Sequence, residues 1–157
     1  MLLLNITYFG KYVSMPTGWM FMACVVALEV IVMSKLLSYT YFNFRIACAA
    51  LISNVVSGIA GAYTSIAING GRLLTVWFPW VSSREVNVEN DEELLSFVLY
   101  LAVAFVATIL IELVVNRMSL KRHYEFRPVM QATILANVVS FILGCFALYT
   151  YSFFVYD

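Results

Sequence analysis

The chain has 157 residues, of which 63% are hydrophobic and only 11% are charged. A soluble domain carries about 25% charged residues, so this composition excludes a water-soluble globule and predicts an all-α integral membrane protein in a lipid bilayer. Nine basic residues balance nine acidic ones. This balance leaves no strongly basic face and argues against a nucleic-acid partner.

Four stretches are apolar and long enough to be membrane-spanning helices, since crossing a hydrocarbon core of about 30 Å takes about 20 helical residues. They run from about Thr17 to Leu36, Ile46 to Ile68, Leu94 to Asn116 and Val129 to Ser152. We predict a single membrane domain over residues 1–157, with one helical hairpin at about 17–68, an outer loop at about 69–93 and a second hairpin at about 94–152.

Local signals mark the starts of three of these helices. Pro16 and Pro128 are expected just before a helix begins, where the missing N–H removes no hydrogen bond. Asn90 followed by Glu93 resembles a capping box that opens the third helix.

The basic residues of the short connections predict the orientation in the membrane. Six of the nine lie between the first two helices or between the last two. The positive-inside rule then places both hairpin turns in the cytoplasm and both termini outside it. Four of the six, in the second turn, suit anionic lipid headgroups: Arg117, Lys121, Arg122 and Arg127.

The outer loop between the hairpins is rich in aromatic residues. Its segment RLLTVWFPWV is apolar but too short to span, so we expect it to lie in the outer interface or to pack on a partner protein. Aromatic rings with an apolar body and a polar tip suit the headgroup layer. The predicted interfacial or partner contacts are Trp19, Trp77, Phe78 and Trp80.

The two hairpins match each other at an offset of 83 residues. From Ala27 to Gly61, eleven of 35 positions are identical to their counterparts without a gap, including a glutamate, an asparagine and a glycine. We interpret the match as a tandem duplication. Because each hairpin has an even number of spans, both copies point the same way and are expected to form a four-helix bundle of parallel repeats.

The repeated polar residues lie at matching depths. At about 1.5 Å per residue, Glu29 lies about 10 Å from the cytoplasmic end of its span and Asn54 about 12 Å into the next. They are expected to face each other, and the second hairpin repeats the arrangement. The predicted intramembrane polar pairs are Glu29, Asn54, Ser57, Glu112, Asn137 and Ser140, with close helix packing at Gly61 and Gly144.

Three interpretations of these polar groups stay open from the sequence. They can be interhelical hydrogen bonds that fix the helix register. They can form a polar path in which two carboxyls bind a cation or relay protons. They can also bind a lipid, a pigment or a partner helix.

Catalytic and cofactor patterns are absent from the sequence. One histidine, His123, cannot make the usual multi-histidine metal site, and there is no HExxH, GxSxG, GxxxxGK[ST] or GxGxxG motif. The three cysteines form no CxxC and are expected to be small core residues. We therefore expect no enzymatic activity, no metal site and no cofactor.

A glutamate late in one span followed by an ANxxSxxxG-type stretch in the next resembles small bacterial four-helix membrane proteins, in particular the FraC family of cyanobacterial filament-integrity proteins. Here Glu29 precedes SNVVSGIAG and Glu112 precedes ANVVSFILG, and together they cover about half of the chain. The resemblance implies a bacterial inner-membrane protein with a role in assembly or cell–cell architecture. The long aromatic outer loop departs from that family.

Two functional hypotheses follow. The first is a non-enzymatic integral membrane subunit that packs into and stabilises a larger membrane protein assembly, with other membrane subunits as partners. The alternative is a small ion or solute transporter or channel that uses Glu29 and Glu112. The alternative implies a homo-oligomer, because four short helices leave little room for a pore.

Overall fold

The computed structural model of the protein describes residues 16–68 and 91–156, and this part of the chain is helical. Its four helices are α1 (Pro16–Ser38), α2 (Phe44–Ile68), α3 (Asp91–Leu120) and α4 (Phe126–Tyr156). Three of them contain a segment long and apolar enough to cross a membrane: Phe44–Gly61, Ala102–Leu120 and Phe126–Gly144. The described chain is therefore all-α and compatible with a multi-pass membrane protein.

All four helices begin one to three residues earlier than the sequence predicts. Pro16 is the first residue of α1, and Pro128 is the third residue of α4 rather than the residue before it. The N–H groups of a first helical turn have no intrahelical acceptor, so proline fits there without breaking a hydrogen bond. Helix α3 begins at Asp91, which puts Glu93 in its first turn, while Asn90 lies outside the described residues.

The turn between α1 and α2 has a helix-ending residue on one side and a helix-capping residue on the other. Tyr39, directly after α1, has a φ of 57°, the left-handed conformation that commonly ends a helix. At the other end, the backbone N–H of Arg45 donates to Asn43 Oδ1 at 3.1 Å. Asn43 is therefore the N-cap of α2 and satisfies one of the free N–H groups of its first turn.

The turn between α3 and α4 is closed by backbone and arginine contacts. The N–H groups of His123 and Tyr124 donate to Leu120 O at 2.9 and 3.1 Å. Arg117 Nη1 donates to Tyr124 O at 3.2 Å, and its guanidinium lies 5.6 Å from the centre of the Phe126 ring. Arg117 therefore serves the turn itself, in addition to any role at a membrane surface.

The chain divides into two compact units. One unit comprises Phe21–Ser57 and Thr108–Cys145. The other contains, among the described residues, 16–20, 58–68, 91–107 and 146–156. The first unit holds an apolar core of small and medium side chains from all four helices: Val30, Met33, Leu37, Ile46, Ala49, Ala50, Leu120, Val129, Ala132 and Ala136.

Large apolar side chains also cover the outside of the helices. On α2, Leu51 and Ile52 are 54% and 51% exposed, and on α3, Leu110 and Val114 are each 58% exposed. Such a surface suits lipid or a protein partner better than water. Cys24 lies on this exposed surface and Cys48 is half-buried, so the expectation that both are core residues is wrong. Small apolar side chains suit both a protein core and a lipid-facing surface. The sequence around Cys24 and Cys48 therefore does not predict which of these two environments each cysteine occupies.

Candidate functional site: a buried glutamate network

Six polar side chains lie together in the interior of the unit formed by Phe21–Ser57 and Thr108–Cys145. We call them the glutamate network. Its two carboxyls are the most deeply buried acidic or basic groups of the described chain, with Glu29 at 3% and Glu112 at 2% exposure. The network consists of Glu29 on α1, Asn54 and Ser57 on α2, Glu112 on α3, and Asn137 and Ser140 on α4.

Helices α1 and α2 are joined by an amide–carboxyl hydrogen bond. Asn54 Nδ2 donates to Glu29 Oε2 at 2.5 Å and to the carbonyl oxygen of Ala50, one turn earlier on α2, at 2.9 Å. The carbonyl of Ala50 only accepts hydrogen bonds, so it fixes which end of the amide carries the nitrogen. Asn54 is thereby held in the orientation that presents its second N–H to Glu29.

Helices α3 and α4 repeat this arrangement. Asn137 Nδ2 donates to Glu112 Oε2 at 2.8 Å and to the carbonyl oxygen of Thr133 at 3.1 Å. The three residues stand 83 positions after Glu29, Asn54 and Ala50. Both helix pairs therefore use the same donor, the same acceptor and the same backbone support.

The two serines connect each helix pair to the other. Ser140 Oγ on α4 is hydrogen bonded to Glu29 Oε1 on α1 at 2.8 Å. Ser57 Oγ on α2 is hydrogen bonded to Glu112 Oε1 on α3 at 2.9 Å. Each carboxyl is thus shared between its own helix pair and the other pair, and all four carboxyl oxygens have a partner.

A second set of buried polar side chains, which is not repeated in both helix pairs, lies one helical turn from the glutamate network. Asn116, four residues after Glu112, is 1% exposed, and its Nδ2 donates to Thr133 Oγ1 at 3.3 Å and lies 4.0 Å from Met33 Sδ. Asn116 Oδ1 and Ser34 Oγ are buried and have no hydrogen-bond partner among the described residues. Unpaired buried polar atoms are rare, and they mark places where water or a ligand group can enter.

Sequence reasoning missed Ser34, and it missed Asn116 and Thr133 for a specific reason. The comparison at an offset of 83 selects residues that match, whereas Asn116 falls on Met33 and Thr133 falls on Ala50. The available signal was a polar residue in one copy facing an apolar residue in the other. Such mismatches mark positions at which the two copies differ.

The two glycines predicted for close helix packing are placed differently. Gly144 is buried, whereas Gly61 is half-buried. They belong to different compact units. Only Gly144 lies in the unit that contains the glutamate network.

The predicted surface residues are described in part. Lys121, Arg122 and Arg127 are exposed, and Arg117 is half-buried against its own turn. Arg45, the second residue of α2, reaches the turn between α3 and α4, with its Nη1 at 3.4 Å from His123 Nδ1. Trp77, Phe78 and Trp80 lie outside the described residues, as does the side chain of Trp19 in α1.

The functional groups of the network are carboxyls, hydroxyls and amides. The buried polar side chains of the described chain include no lysine, arginine or histidine. Within residues 16–68 and 91–156, no group of three or more His, Cys, Asp or Glu side chains could hold a metal ion. The network can therefore form hydrogen bonds between helices and hold protons.

Helices of this length with a buried hydrogen-bonded core define the class as an all-α protein with at least three membrane-compatible helices. Comparison of the chain with protein-family models, with curated proteins and with solved structures finds no match. The function is therefore inferred from the glutamate network and from the surface of the helices.

Proposed function

We propose that the protein is a non-enzymatic integral membrane subunit that packs into and stabilises a larger membrane protein assembly. The observation that carries this proposal is the closure of the glutamate network. Each of the four carboxyl oxygens is already hydrogen bonded to a side chain of a neighbouring helix. A carboxyl engaged in this way fixes the helix register and has little free capacity for a substrate.

The energy of these hydrogen bonds suits a structural role. An interhelical hydrogen bond in a membrane contributes about 0.6 kcal/mol on average and up to about 1.7 kcal/mol. The four side-chain bonds to the carboxyls therefore supply about 2 kcal/mol at the average value and about 7 kcal/mol at the upper value. This is a large share of the stability of an ordinary domain, about 5–15 kcal/mol.

The repeat organisation belongs to this proposal. All four helices span the membrane, and the chain is a tandem pair of parallel-repeat helical hairpins. In support, residues 83 apart make equivalent contacts in both pairs: Glu29 and Glu112, Asn54 and Asn137, Ser57 and Ser140. The shared carboxyls hold the two helix pairs together in the unit that contains the glutamate network.

The outer faces of the helices supply the surface for partners. Exposed apolar residues run along α2 and α3, and two aromatic side chains between α1 and the start of α2 are also exposed, Tyr39 at 87% and Phe44 at 73%. Aromatic residues are enriched in interface cores and at the membrane–water boundary. Lipid and neighbouring membrane subunits are the partners that fit such a surface.

The setting that suits this role is a bacterial inner membrane, with both turns in the cytoplasm and both termini outside it. The basic residues of the two turns favour this orientation, and Arg45 lies beside His123 across the turns. The resemblance to filament-integrity proteins favours a role in assembly or cell–cell architecture.

A second candidate, a small cation transporter or channel built as a homo-oligomer, is favoured by one observation. Asn116 Oδ1 and Ser34 Oγ are buried without a hydrogen-bond partner among the described residues, and Asn116 lies one turn from Glu112. Polar atoms left unpaired inside a membrane helix bundle are typical of an ion or water path.

Ion flux in proteoliposomes separates the two candidates. The subunit proposal predicts that the purified protein gives the same sodium, potassium and proton flux as liposomes without protein. The transporter predicts a flux that is lost in the Glu29→Gln/Glu112→Gln double variant at equal incorporation. Glu125→Gln is the matched control, because Glu125 is an exposed glutamate in the second turn.

A further inference from the structure

The serine hydroxyls of the glutamate network have more acceptors than hydrogens. Ser140 Oγ lies 2.8 Å from Glu29 Oε1 and 3.1 Å from Asn137 O. Ser57 Oγ lies 2.9 Å from Glu112 Oε1 and 3.1 Å from Asn54 O. A hydroxyl carries one hydrogen, and a backbone carbonyl can only accept. If both glutamates were carboxylates, each serine would face two acceptors with one hydrogen.

The asparagines cannot supply the missing hydrogens. The two N–H groups of Asn54 are used by Glu29 Oε2 and by Ala50 O. Those of Asn137 are used by Glu112 Oε2 and by Thr133 O. Every amide hydrogen of the network is therefore committed, and two more hydrogens are needed to make all contacts hydrogen bonds.

We propose that Glu29 and Glu112 are both neutral carboxylic acids that act as hydrogen-bond donors. Glu29 carries its proton on Oε1 and donates to Ser140 Oγ, and Glu112 donates from Oε1 to Ser57 Oγ. Each serine then donates its own hydrogen to the backbone carbonyl three residues earlier. With these two protons in place, every hydrogen of the network has one acceptor.

The surroundings of the carboxyls support this assignment independently of the hydrogen count. Glu29 and Glu112 are 3% and 2% exposed, and none of the buried polar side chains of the described chain carries a positive charge. Burying an uncompensated carboxylate is far more costly than burying a hydrogen-bonded neutral acid. Of the titratable groups in the network, Glu29 comes from α1 and Glu112 from α3, while α2 and α4 contribute only amides and hydroxyls.

The consequence is a bundle held together by two bound protons. Loss of either proton would leave one serine contact without a hydrogen and would leave a negative charge among apolar helices. The role of the glutamates as neutral donors goes beyond the proposed subunit function, because it applies equally if the protein transports ions.

Infrared spectroscopy of the purified protein at neutral pH tests the proposal. A protonated carboxyl gives a carbonyl stretching band that a carboxylate lacks. The proposal predicts such a band in the unmodified protein, a loss of about half of it in Glu29→Gln and in Glu112→Gln, and complete loss in the double variant. The exposed Glu125 serves as the control, so Glu125→Gln should leave the band unchanged.

A second variant reads the hydrogen bond itself. Ser140→Ala removes the acceptor of the Glu29 proton, so half of the carbonyl band should shift to higher frequency, as expected of a more weakly bonded acid. This measurement serves equally well if the double glutamine variant does not fold. The proposal is overturned if the unmodified protein has no carbonyl band of this kind, or if Ser140→Ala leaves the position of the band unchanged.

Discussion

The hydrogen bond between Ser140 and Glu29 is the most informative single contact to remove, because it joins helices α4 and α1 of different helix pairs. Replacing Ser140 with alanine deletes the Oγ atom that lies 2.8 Å from Glu29 Oε1. Little volume is lost, so the substitution creates no large cavity. The carbonyl of Asn137, the other neighbour of the hydroxyl, remains available to the backbone of α4.

The expected cost follows from these contacts. The interhelical bond itself contributes about 0.6–1.7 kcal/mol in a membrane protein. The carboxyl oxygen left behind is buried and unpaired, a penalty of about 1–3 kcal/mol in a protein interior. Because these are two estimates of the same loss, we expect Ser140→Ala to lower the free energy of unfolding by about 1–2 kcal/mol.

Unfolding in mixed micelles with increasing sodium dodecyl sulfate, followed by helix content, measures this change. Ser57→Ala should give a loss of similar size, because its contact with Glu112 has the same geometry at 2.9 Å. Ser119→Ala is the control, since Ser119 is an exposed serine of α3. If both buried serines behave like Ser119, the carboxyls do not join the helix pairs and do not stabilise the bundle.

Three further substitutions test local features of the fold in the same unfolding assay. Ser34→Ala removes a buried hydroxyl that has no partner among the described residues, so it should raise stability by up to about 1 kcal/mol, and a loss above 1 kcal/mol would indicate a bound partner. Tyr39→Gly relieves a left-handed residue with a φ of 57° and should be about 1 kcal/mol more stable than Tyr39→Ala, which keeps the Cβ atom; equal stabilities would show that this backbone conformation carries no strain. Asn43→Ala removes the N-cap of α2 and should cost about 0.5–2 kcal/mol, whereas Asn43→Asp should retain most of the stability because aspartate also caps; a similar loss in both variants would contradict the cap.

The hydrogen bonds within each helix pair can be predicted from the sequence, because they depend only on how deep each residue lies in its helix. Counting residues from the turn places Glu29 and Asn54 at one level, and these side chains are hydrogen bonded across α1 and α2. The contact between Ser140 and Glu29 joins residues that are 111 positions apart. It depends on which faces of two helix pairs meet, and apolar periodicity around a lipid-facing helix does not specify that.

The helix ends are also only partly predictable from the sequence. The sequence predicts Pro128 as the residue before a helix that starts at Val129, but the first turn of α4 tolerates a proline, so the helix starts three residues earlier at Phe126. Tyr39 ends α1 in a conformation usually adopted by glycine. Its side chain gives no signal for this, because residues other than glycine rarely adopt a positive φ.

The most direct test of the subunit proposal is native mass spectrometry of the protein extracted from its own membrane in mild detergent. The proposal predicts a complex with other membrane proteins at fixed stoichiometry, in which the Ser57→Ala/Ser140→Ala double variant is depleted and the Ser119→Ala control is not. A homo-oligomer alone, found at every detergent concentration that keeps the helices folded, would contradict the proposal and favour transport.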